Sequence, residues 1–222
     1  MEPTDSSSSS HRGALADGAI GSTTLHWSDT DLEVYKLVVG ELDNNVFVVR
    51  CRHTGESALI DAADEHDTLL ELCRRLDVKT VLETHGHWDH IGAVPAIRDA
   101  GYEVGIGAPD ASMLDSYDYI LDHDEQLKVG RLAIRTIATP GHTEGCISFK
   151  IEDKPLLFVG DSVFPGGPGK TDDAASFAQA IESIDERIFT YPSETLLLPG
   201  HGRDTTVGTE RPHLDTWADR GW

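Results

Sequence analysis

The chain has 222 residues, 39% of them hydrophobic, which suits a domain with a substantial core. It carries 39 acidic against 18 basic residues, a formal net charge of −21, so its surface should repel nucleic-acid backbones and anionic membranes. No apolar run is long enough to span a bilayer, and the polar N-terminal stretch predicts no secretory signal.

The first half of the chain predicts a tail followed by strands. Residues 1–22 begin with a polar, Ser-rich stretch, and we expect a disordered tail ahead of one domain over residues 23–222. Apolar, β-branched segments separated by polar breaks predict strands, and helical spacing of apolar residues predicts a helix over 66–76. The strands cover residues 32–40, 45–51, 57–62 and 78–84.

The second half repeats this rhythm of strands with interspersed helices. A helix over 90–101, closed by Gly101, should be short or begin near Pro95, because proline is awkward inside a helix. The other predicted helices cover 174–189 and 210–222, and the other strands cover 102–107, 127–139, 146–151, 155–161 and 195–202. Two sheets with helices outside them are therefore expected.

The densest group of polar side chains is the stretch THGHWDH at residues 84–90, which directly follows a predicted strand. Three more candidates also follow the ends of predicted strands, namely His142, Asp161 and His201. Loops at strand ends are where a rigid scaffold presents functional groups. Four strands could thus direct histidines and aspartates to one place.

Imidazole nitrogens and carboxylate oxygens suit zinc, and they also suit iron or manganese. His85 and His87 lie two residues apart and should project to the same side of an extended segment, while Asp89 and His90 can turn to a neighbouring ion. Seven such groups fit two ions with open positions and one bridging carboxylate. Asp61 also ends a predicted strand, and it either supports a ligand histidine or serves as a turn or N-cap residue.

The stretch THGHWDH has the HxHxDH form of the metallo-β-lactamase superfamily, and TPGHTEG, VGDSVF and LPGHG resemble the later motifs in the family's order. The resemblance runs from about residue 32 to the end of the chain. It implies an α/β fold, the αββα four-layer sandwich, with the site at one edge of two sheets. It also implies two divalent metal ions, most simply zinc, with iron or manganese as alternatives.

The same resemblance assigns the ligands by position. The first ion would be held by His85, His87 and His142, the second by Asp89, His90 and His201, and Asp161 would bridge them. A metal-bridging hydroxide would attack the substrate carbonyl, with Asp89 as the catalytic residue that positions it and accepts its proton. Trp88 has no metal role in this scheme, and we expect it to wall the site or pack beneath it.

Within the superfamily, the chain looks most similar to glyoxalase II, a hydroxyacylglutathione hydrolase, in a short form without the C-terminal helical domain. In the stretch FPGGPGKTDD, Lys170 matches the basic residue with which that family holds the glutathione carboxylate, and an ordinary surface turn is the alternative. Arg203 stands where that family has a tyrosine two positions after the last ligand. This departure leaves another thiol carrier open.

The resemblance therefore implies a thioester hydrolase acting on a small molecule. The net charge of −21 argues against nucleic acid and membranes as partners. A persulfide dioxygenase with one iron on His85, His142 and Asp161 is an alternative, as is a lactone hydrolase. A non-catalytic binding module is disfavoured because all seven ligand positions are filled. Three widely spaced cysteines with no CxxC pair fit a reducing cytoplasm.

Overall fold

Two large β-sheets form the centre of the computed structural model, which describes residues 23–221. The tail expected at residues 1–22 lies outside the described residues. The first sheet contains β1 (Thr24–Ser28), β2 (Leu32–Val39), β3 (Asn44–Cys51), β4 (Ser57–Ile60), β5 (Val78–Leu82), β6 (Glu103–Gly107) and β7 (Tyr119–Leu121), in that order.

The second sheet has six strands, and two further strands form a small separate hairpin. Its strands are β8 (Gln126–Val129), β9 (Leu132–Ala138), β10 (Ile147–Ile151), β11 (Leu156–Gly160), β14 (Leu196–Pro199) and β15 (Thr205–Thr206). Their order across the sheet is β15, β14, β11, β10, β9, β8. The hairpin pairs β12 (Val163–Phe164) with β13 (Gly167–Pro168).

Helices of varied length connect these strands. The α-helices are α1 (His66–Arg75), α2 (Trp88–Ile91), α3 (Val94–Asp99), α4 (Ala174–Ser183), α5 (Val207–Glu210) and α6 (Leu214–Arg220). Two 3₁₀ helices cover Ala108–Met113 and Arg211–His213, and a π-helical turn covers Ile184–Ile188. No helix of the described residues is both long and apolar enough to span a bilayer.

Three apolar clusters give the molecule four layers. Leu72 of α1 and Ile97 of α3 pack on the outer face of the first sheet. Phe47 of β3 and Phe158 of β11 meet between the two sheets, with their ring centroids 5.2 Å apart. On the outer face of the second sheet lie the helical residues Ile184, Ile188 and Trp217. The predicted αββα four-layer sandwich is confirmed by these layers, since each sheet buries one face on the other and one on helices.

Several local predictions differ from the structure. The single strand predicted over 127–139 is wrong, because the chain reverses at Gly130, where φ is +58°, and β8 pairs with β9 as a hairpin. The helix predicted over 90–101 is two short helices, and Pro95 lies in the first turn of the second one. The helix predicted over 210–222 is likewise interrupted by the 3₁₀ helix that contains Pro212.

The fold brings the carboxyl ends of several strands to one edge. In the first sheet β4, β5 and β6 run parallel, and in the second sheet β11 and β14 run parallel. Two backbone hydrogen bonds join the sheets at this edge, from Asn45 N to Gly200 O (2.7 Å) and from Ile147 N to Thr84 O (2.8 Å). The loops that follow these strands are therefore held at fixed distances from one another.

Candidate metal centre

The loop after β5 carries the densest set of candidate ligands. His87 has extended backbone angles (φ −64°, ψ 144°) and is the residue before α2, whose first turn contains Asp89 and His90. The extended part directs His85 and His87 to one side, while the helical turn directs the next two side chains to a neighbouring point. One short segment thus serves two adjacent groups of side chains.

Three imidazole nitrogens converge in the first group. His85 Nε2 lies 3.1 Å from His87 Nδ1, His87 Nδ1 lies 2.8 Å from His142 Nε2, and His142 Nε2 lies 3.2 Å from His85 Nε2. Three nitrogens bound to one tetrahedral zinc would be about 3.3 Å apart, since each Zn–N bond is about 2.0–2.1 Å. The triangle is close to that size, so this group could hold a metal ion.

A second group combines a carboxylate with two imidazoles. His90 Nε2 and His201 Nε2 are 3.2 Å apart, and Asp89 Oδ2 lies 3.3 Å from His201 Nε2 and 3.6 Å from His90 Nε2. Asn44 Nδ2 donates a hydrogen bond to Asp89 Oδ2 at 3.0 Å, which orients that carboxylate toward the histidines. These three side chains could hold a second ion.

Asp161 stands between the two groups. Its Oδ2 lies 3.6 Å from both His142 Nε2 and His201 Nε2, and its Oδ1 lies 3.5 Å from His90 Nε2. Oδ1 is buried and has no hydrogen-bond partner. A buried carboxylate oxygen without a partner is costly, and a bound cation would satisfy it. The residues present therefore fit a metal centre with Asp161 as a bridge.

The close approach at Asp161 also depends on Gly200. A Cβ atom at residue 200 would lie 2.3 Å from Asp161 Oδ1 and 2.6 Å from His90 Cε1. Any larger residue would push the carboxylate away from the histidines. The glycine of the LPGHG motif thus leaves space for the bridging position.

The outward-facing ring nitrogens of three histidines are held by hydrogen-bond acceptors. Nδ1–H of His142 donates to Lys170 O at 2.6 Å, and Nδ1–H of His201 donates to Leu42 O at 2.9 Å. Nδ1–H of His90 donates to Asp61 Oδ2 at 2.9 Å. Each bond holds a proton on Nδ1, so that Nε2 is the nitrogen directed into the site.

Asp61 is connected to a second ligand through Thr84. The Thr84 hydroxyl donates to Asp61 Oδ2 at 2.9 Å, and it lies 3.1 Å from His85 Nδ1, which therefore donates to the hydroxyl oxygen. Thr84 N also donates to Asp61 Oδ1 at 2.7 Å. One buried carboxylate thus lies behind histidines of both groups.

Burial and neighbouring charges shift the pKa values of four candidate ligands. Burial lowers the pKa of His85 well below its usual value and lowers that of His142, so both rings are neutral and can offer a lone pair. Burial alone would lower the pKa of His90, but the carboxylates of Asp61 and Asp161 raise it well above its usual value. Burial would raise the pKa of Asp161, yet its histidine neighbours, His90 first, lower it.

Asp110, which belongs to none of the sequence motifs, connects the loops of the first group. Its Oδ2 accepts hydrogen bonds from Gly86 N (2.9 Å) and the Thr143 hydroxyl (2.6 Å), and its Oδ1 accepts one from Gly145 N (2.8 Å). Asp110 is 1% exposed. Asp110 follows the end of β6 closely, as the other site residues follow their strands. Its position after a strand was therefore the one signal in the sequence that could have indicated a role in the site.

Asn44 and the carbonyl of Leu42 were also missed. They lie in and beside the turn between β2 and β3, whose sequence ELDNN reads as an ordinary polar break. An orienting amide or a backbone acceptor leaves no recognisable pattern in a sequence. Only the contacts in the structure reveal them, Asn44 with Asp89 and the Leu42 carbonyl with His201.

Two other predicted residues are exposed. The side chain of Lys170 lies at the surface while its backbone carbonyl holds His142. Trp88 is 73% exposed, so the expectation that it packs beneath the site is wrong. It instead lines a cavity that also contains Asp89.

Comparisons with known proteins agree with this architecture. A family model described as the metallo-beta-lactamase superfamily matches residues 39–201. The chain is similar to a solved structure titled BLEG-1 B3 metallo-beta-lactamase, with a TM-score of 0.72 and 26% identity. That match covers 83% of this chain and 99% of the other.

Two curated relatives carry different enzyme names. Hydroxyacylglutathione hydrolase of Rhodospirillum rubrum is 32% identical over 173 residues, which are 77% of this chain and 66% of the relative. Mitochondrial persulfide dioxygenase ETHE1 of Mus musculus is 32% identical over 157 residues, which are 68% of this chain and 60% of the relative. The matched segment thus spans less than two thirds of the length of either relative.

The substitution Asp110→Asn should weaken metal binding by about tenfold or more. An amide would present an NH₂ group to at least one of the three donors that now bind the carboxylate, so the loops carrying His87 and His142 would separate. Competition with a chromophoric chelator measures the affinity, and circular dichroism checks the fold. Asp99→Asn, on the exposed end of α3, is the matched control. Equal affinity of the two variants would contradict this role.

Proposed function

The chain belongs to the metallo-β-lactamase superfamily, and from this premise we propose that it is a metal-dependent thioester hydrolase of the glyoxalase II type. The observation that carries the proposal is the pair of three-residue ligand groups with the buried Asp161 carboxylate between them, whose Oδ1 has no hydrogen-bond partner. Two adjacent divalent ions are well suited to catalysing the hydrolysis of an activated carbonyl. Zinc is the first choice of metal, because five of the seven ligands are histidines.

The metal ions would supply Lewis acidity toward the carbonyl oxygen and would lower the pKa of a bound water toward neutrality. Asp89 is held by Asn44 at Oδ2, so its Oδ1 is the oxygen that would accept the proton of the attacking water. The carboxylate is half-buried beside His201 and thus faces the reacting centre. A thiolate leaves readily, so no strong general acid is required.

The substrate would be a small thioester whose thiol arm lies beside the first ligand group. A cavity of about 340 Å³ opens there, lined by His87 and His142, by the polar Ser176 and Gln179, and by the acidic Glu144 and Asp172. Lys170 is exposed next to this cavity, and its carbonyl is anchored to His142. We propose that its ammonium group binds an anionic end of the thiol carrier and that the enzyme works in the cytoplasm.

Metal content and turnover together test the proposal. Elemental analysis of the purified protein should find two divalent ions per chain, and S-lactoylglutathione or a simple thioester should be hydrolysed faster than a lactone, without oxygen uptake. One iron per chain together with persulfide-dependent oxygen consumption would instead establish the persulfide dioxygenase alternative. Preferential turnover of the lactone would point to a lactone hydrolase.

Removal of a ligand should abolish metal binding and activity together. His87→Ala removes one of three converging nitrogens, and Asp161→Ala removes the carboxylate between the groups, so each should lower metal content and kcat/KM by at least about 100-fold. Circular dichroism should show that the fold survives. His213→Ala, at an exposed histidine of the C-terminal region, should leave both measurements unchanged. Full activity in a metal-depleted His87 variant would refute the proposal.

The Lys170→Ala substitution tests the substrate assignment. It should raise KM for an anionic thioester about fivefold to tenfold while changing KM for a neutral ester by less than twofold, because one charge interaction is lost. Metal content should be unchanged, since His142 binds the backbone carbonyl at this position and not the side chain. Lys128→Ala, at an exposed lysine of β8, is the control. Equal effects on the two substrates would exclude Lys170 from the substrate site.

A further inference from the structure

A second cavity adjoins the metal centre on the side of the other ligand group. Its volume is about 290 Å³, and its lining includes Leu42, Asn44, Ala63, Trp88, Asp89 and Gly92. We call it the Trp88 groove. It reaches the metal centre at Asp89, whereas the cavity at Lys170 reaches it at His87 and His142. A substrate with its carbonyl at the metals would therefore have one groove for each of its two arms.

The walls of the Trp88 groove are exposed apolar side chains. Trp88 is 73% exposed and Leu42 is 49% exposed. Large apolar side chains that remain uncovered next to a candidate site commonly mark a surface that becomes covered on binding. Alanine and glycine at the floor, Ala63 and Gly92, leave the space between the two walls open.

Both walls are fixed to the metal centre. Trp88 lies in the chain between His87 and Asp89, and its backbone begins α2. The backbone carbonyl of Leu42 accepts the hydrogen bond from His201 Nδ1. The backbone of each wall residue therefore cannot move far unless a ligand moves with it. The groove is therefore a constant feature beside the second ligand group and does not depend on closure of a distant loop.

The rim of the groove is acidic. Glu41 and Asp64 line it, and both are exposed. A ligand group that ends in a carboxylate would be repelled by these charges, while an uncharged apolar group would cover Trp88 and Leu42. The volume lies just below the range of about 300–1,000 Å³ that is usual for a complete small ligand. The groove thus suits one arm of a substrate.

We propose that the Trp88 groove binds the acyl chain of the thioester and selects short, uncharged aliphatic acyl groups over those that end in a carboxylate. The proposal rests on the proposed thioester hydrolase function and adds the acyl specificity to it. Burial of each additional methylene against Trp88 and Leu42 should favour binding by up to about fourfold. The thiol arm would then occupy the cavity beside Lys170.

The chain-length test uses acetyl, butyryl and hexanoyl thioesters of one neutral thiol. In the wild-type enzyme, kcat/KM should rise about twofold to fourfold for each methylene between acetyl and butyryl. In Trp88→Ala and in Leu42→Ala, kcat/KM should increase less than about twofold from the acetyl to the butyryl thioester, because the groove loses one apolar wall. Tyr117→Ala and Leu25→Ala remove exposed apolar side chains elsewhere, 40% and 45% exposed, and should keep the wild-type slope.

The charge test compares butyryl with succinyl thioesters of the same thiol. The wild-type enzyme should prefer butyryl by at least about fivefold, since the succinyl carboxylate would face two acidic side chains. The double substitution Glu41→Gln with Asp64→Asn should reduce this preference to less than twofold. The control replaces two exposed acidic residues of α1, Asp67→Asn with Glu71→Gln, and should retain it.

A binding measurement separates this proposal from the proposed function. Hexanoate should bind the metal-loaded protein at least about fivefold more tightly than acetate, and Trp88→Ala should remove that difference, as measured by calorimetry. If no thioester turns over but this difference is found, the proposed function fails and the acyl-group site stands. If thioesters turn over with a flat chain-length profile in every variant, only the acyl-site proposal fails. The acyl-site proposal also fails if kcat/KM depends on Trp88 when the thiol is lengthened but not when the acyl chain is lengthened.

Discussion

The carboxylate of Asp61 is the constraint on which the metal centre depends. It is 1% exposed and accepts hydrogen bonds from His90 Nδ1, from Thr84 N and from the Thr84 hydroxyl, which in turn accepts from His85. Its backbone has φ +62°, a left-handed conformation that disfavours most residues other than glycine but that aspartate tolerates better. The strand β4 thus ends in a turn that directs one carboxylate behind both ligand groups. Without it, the orientation of two histidine rings would be lost at once.

The hydrogen bonds of Asp61 keep a carboxylate in the interior, and the neighbouring side chains limit the free-energy cost of burying it. Glu83 is fully buried nearby, and burial together with the Asp61 charge raises the pKa of Glu83 well above its usual value. Glu83 therefore takes up a proton more readily than an ordinary carboxyl group, and His90 Nδ1 lies 2.9 Å from the Asp61 carboxylate. Metal binding at His90 would replace its proton while the Asp61 hydrogen bond to Nδ1 remains. The same contact therefore stabilises the ring before and after a metal binds.

The short-range part of this arrangement is predictable from the sequence, because strand ends and ligand spacing are local properties. THGHWDH after β5 and the Pro-Gly-His stretches around His142 and His201 place their side chains at one edge once two sheets are assumed. The contributions of Asp110 and Asn44 are not predictable in this way, since each acts on a loop more than twenty residues away. The error at Gly130 has the opposite origin. A continuous apolar pattern there outweighed a single glycine that turns the chain.

The distribution of charge explains how so acidic a chain could attract a carbonyl substrate. Two bound divalent ions would add four positive charges against the two carboxylates of Asp89 and Asp161, which leaves the centre at +2 while the formal net charge of the chain is −21. Field lines would then converge on the metals, and exposed acidic residues such as Glu41 and Asp64 would repel anions from the walls. Lys170 is an exposed cation whose carbonyl binds His142, and its charge would offset the acidic Glu144 and Asp172 that line the other cavity. Under the proposed function, the apolar walls Trp88 and Leu42 would favour the apolar arm of an asymmetric thioester on their side, and Lys170 would favour an anionic arm on the other.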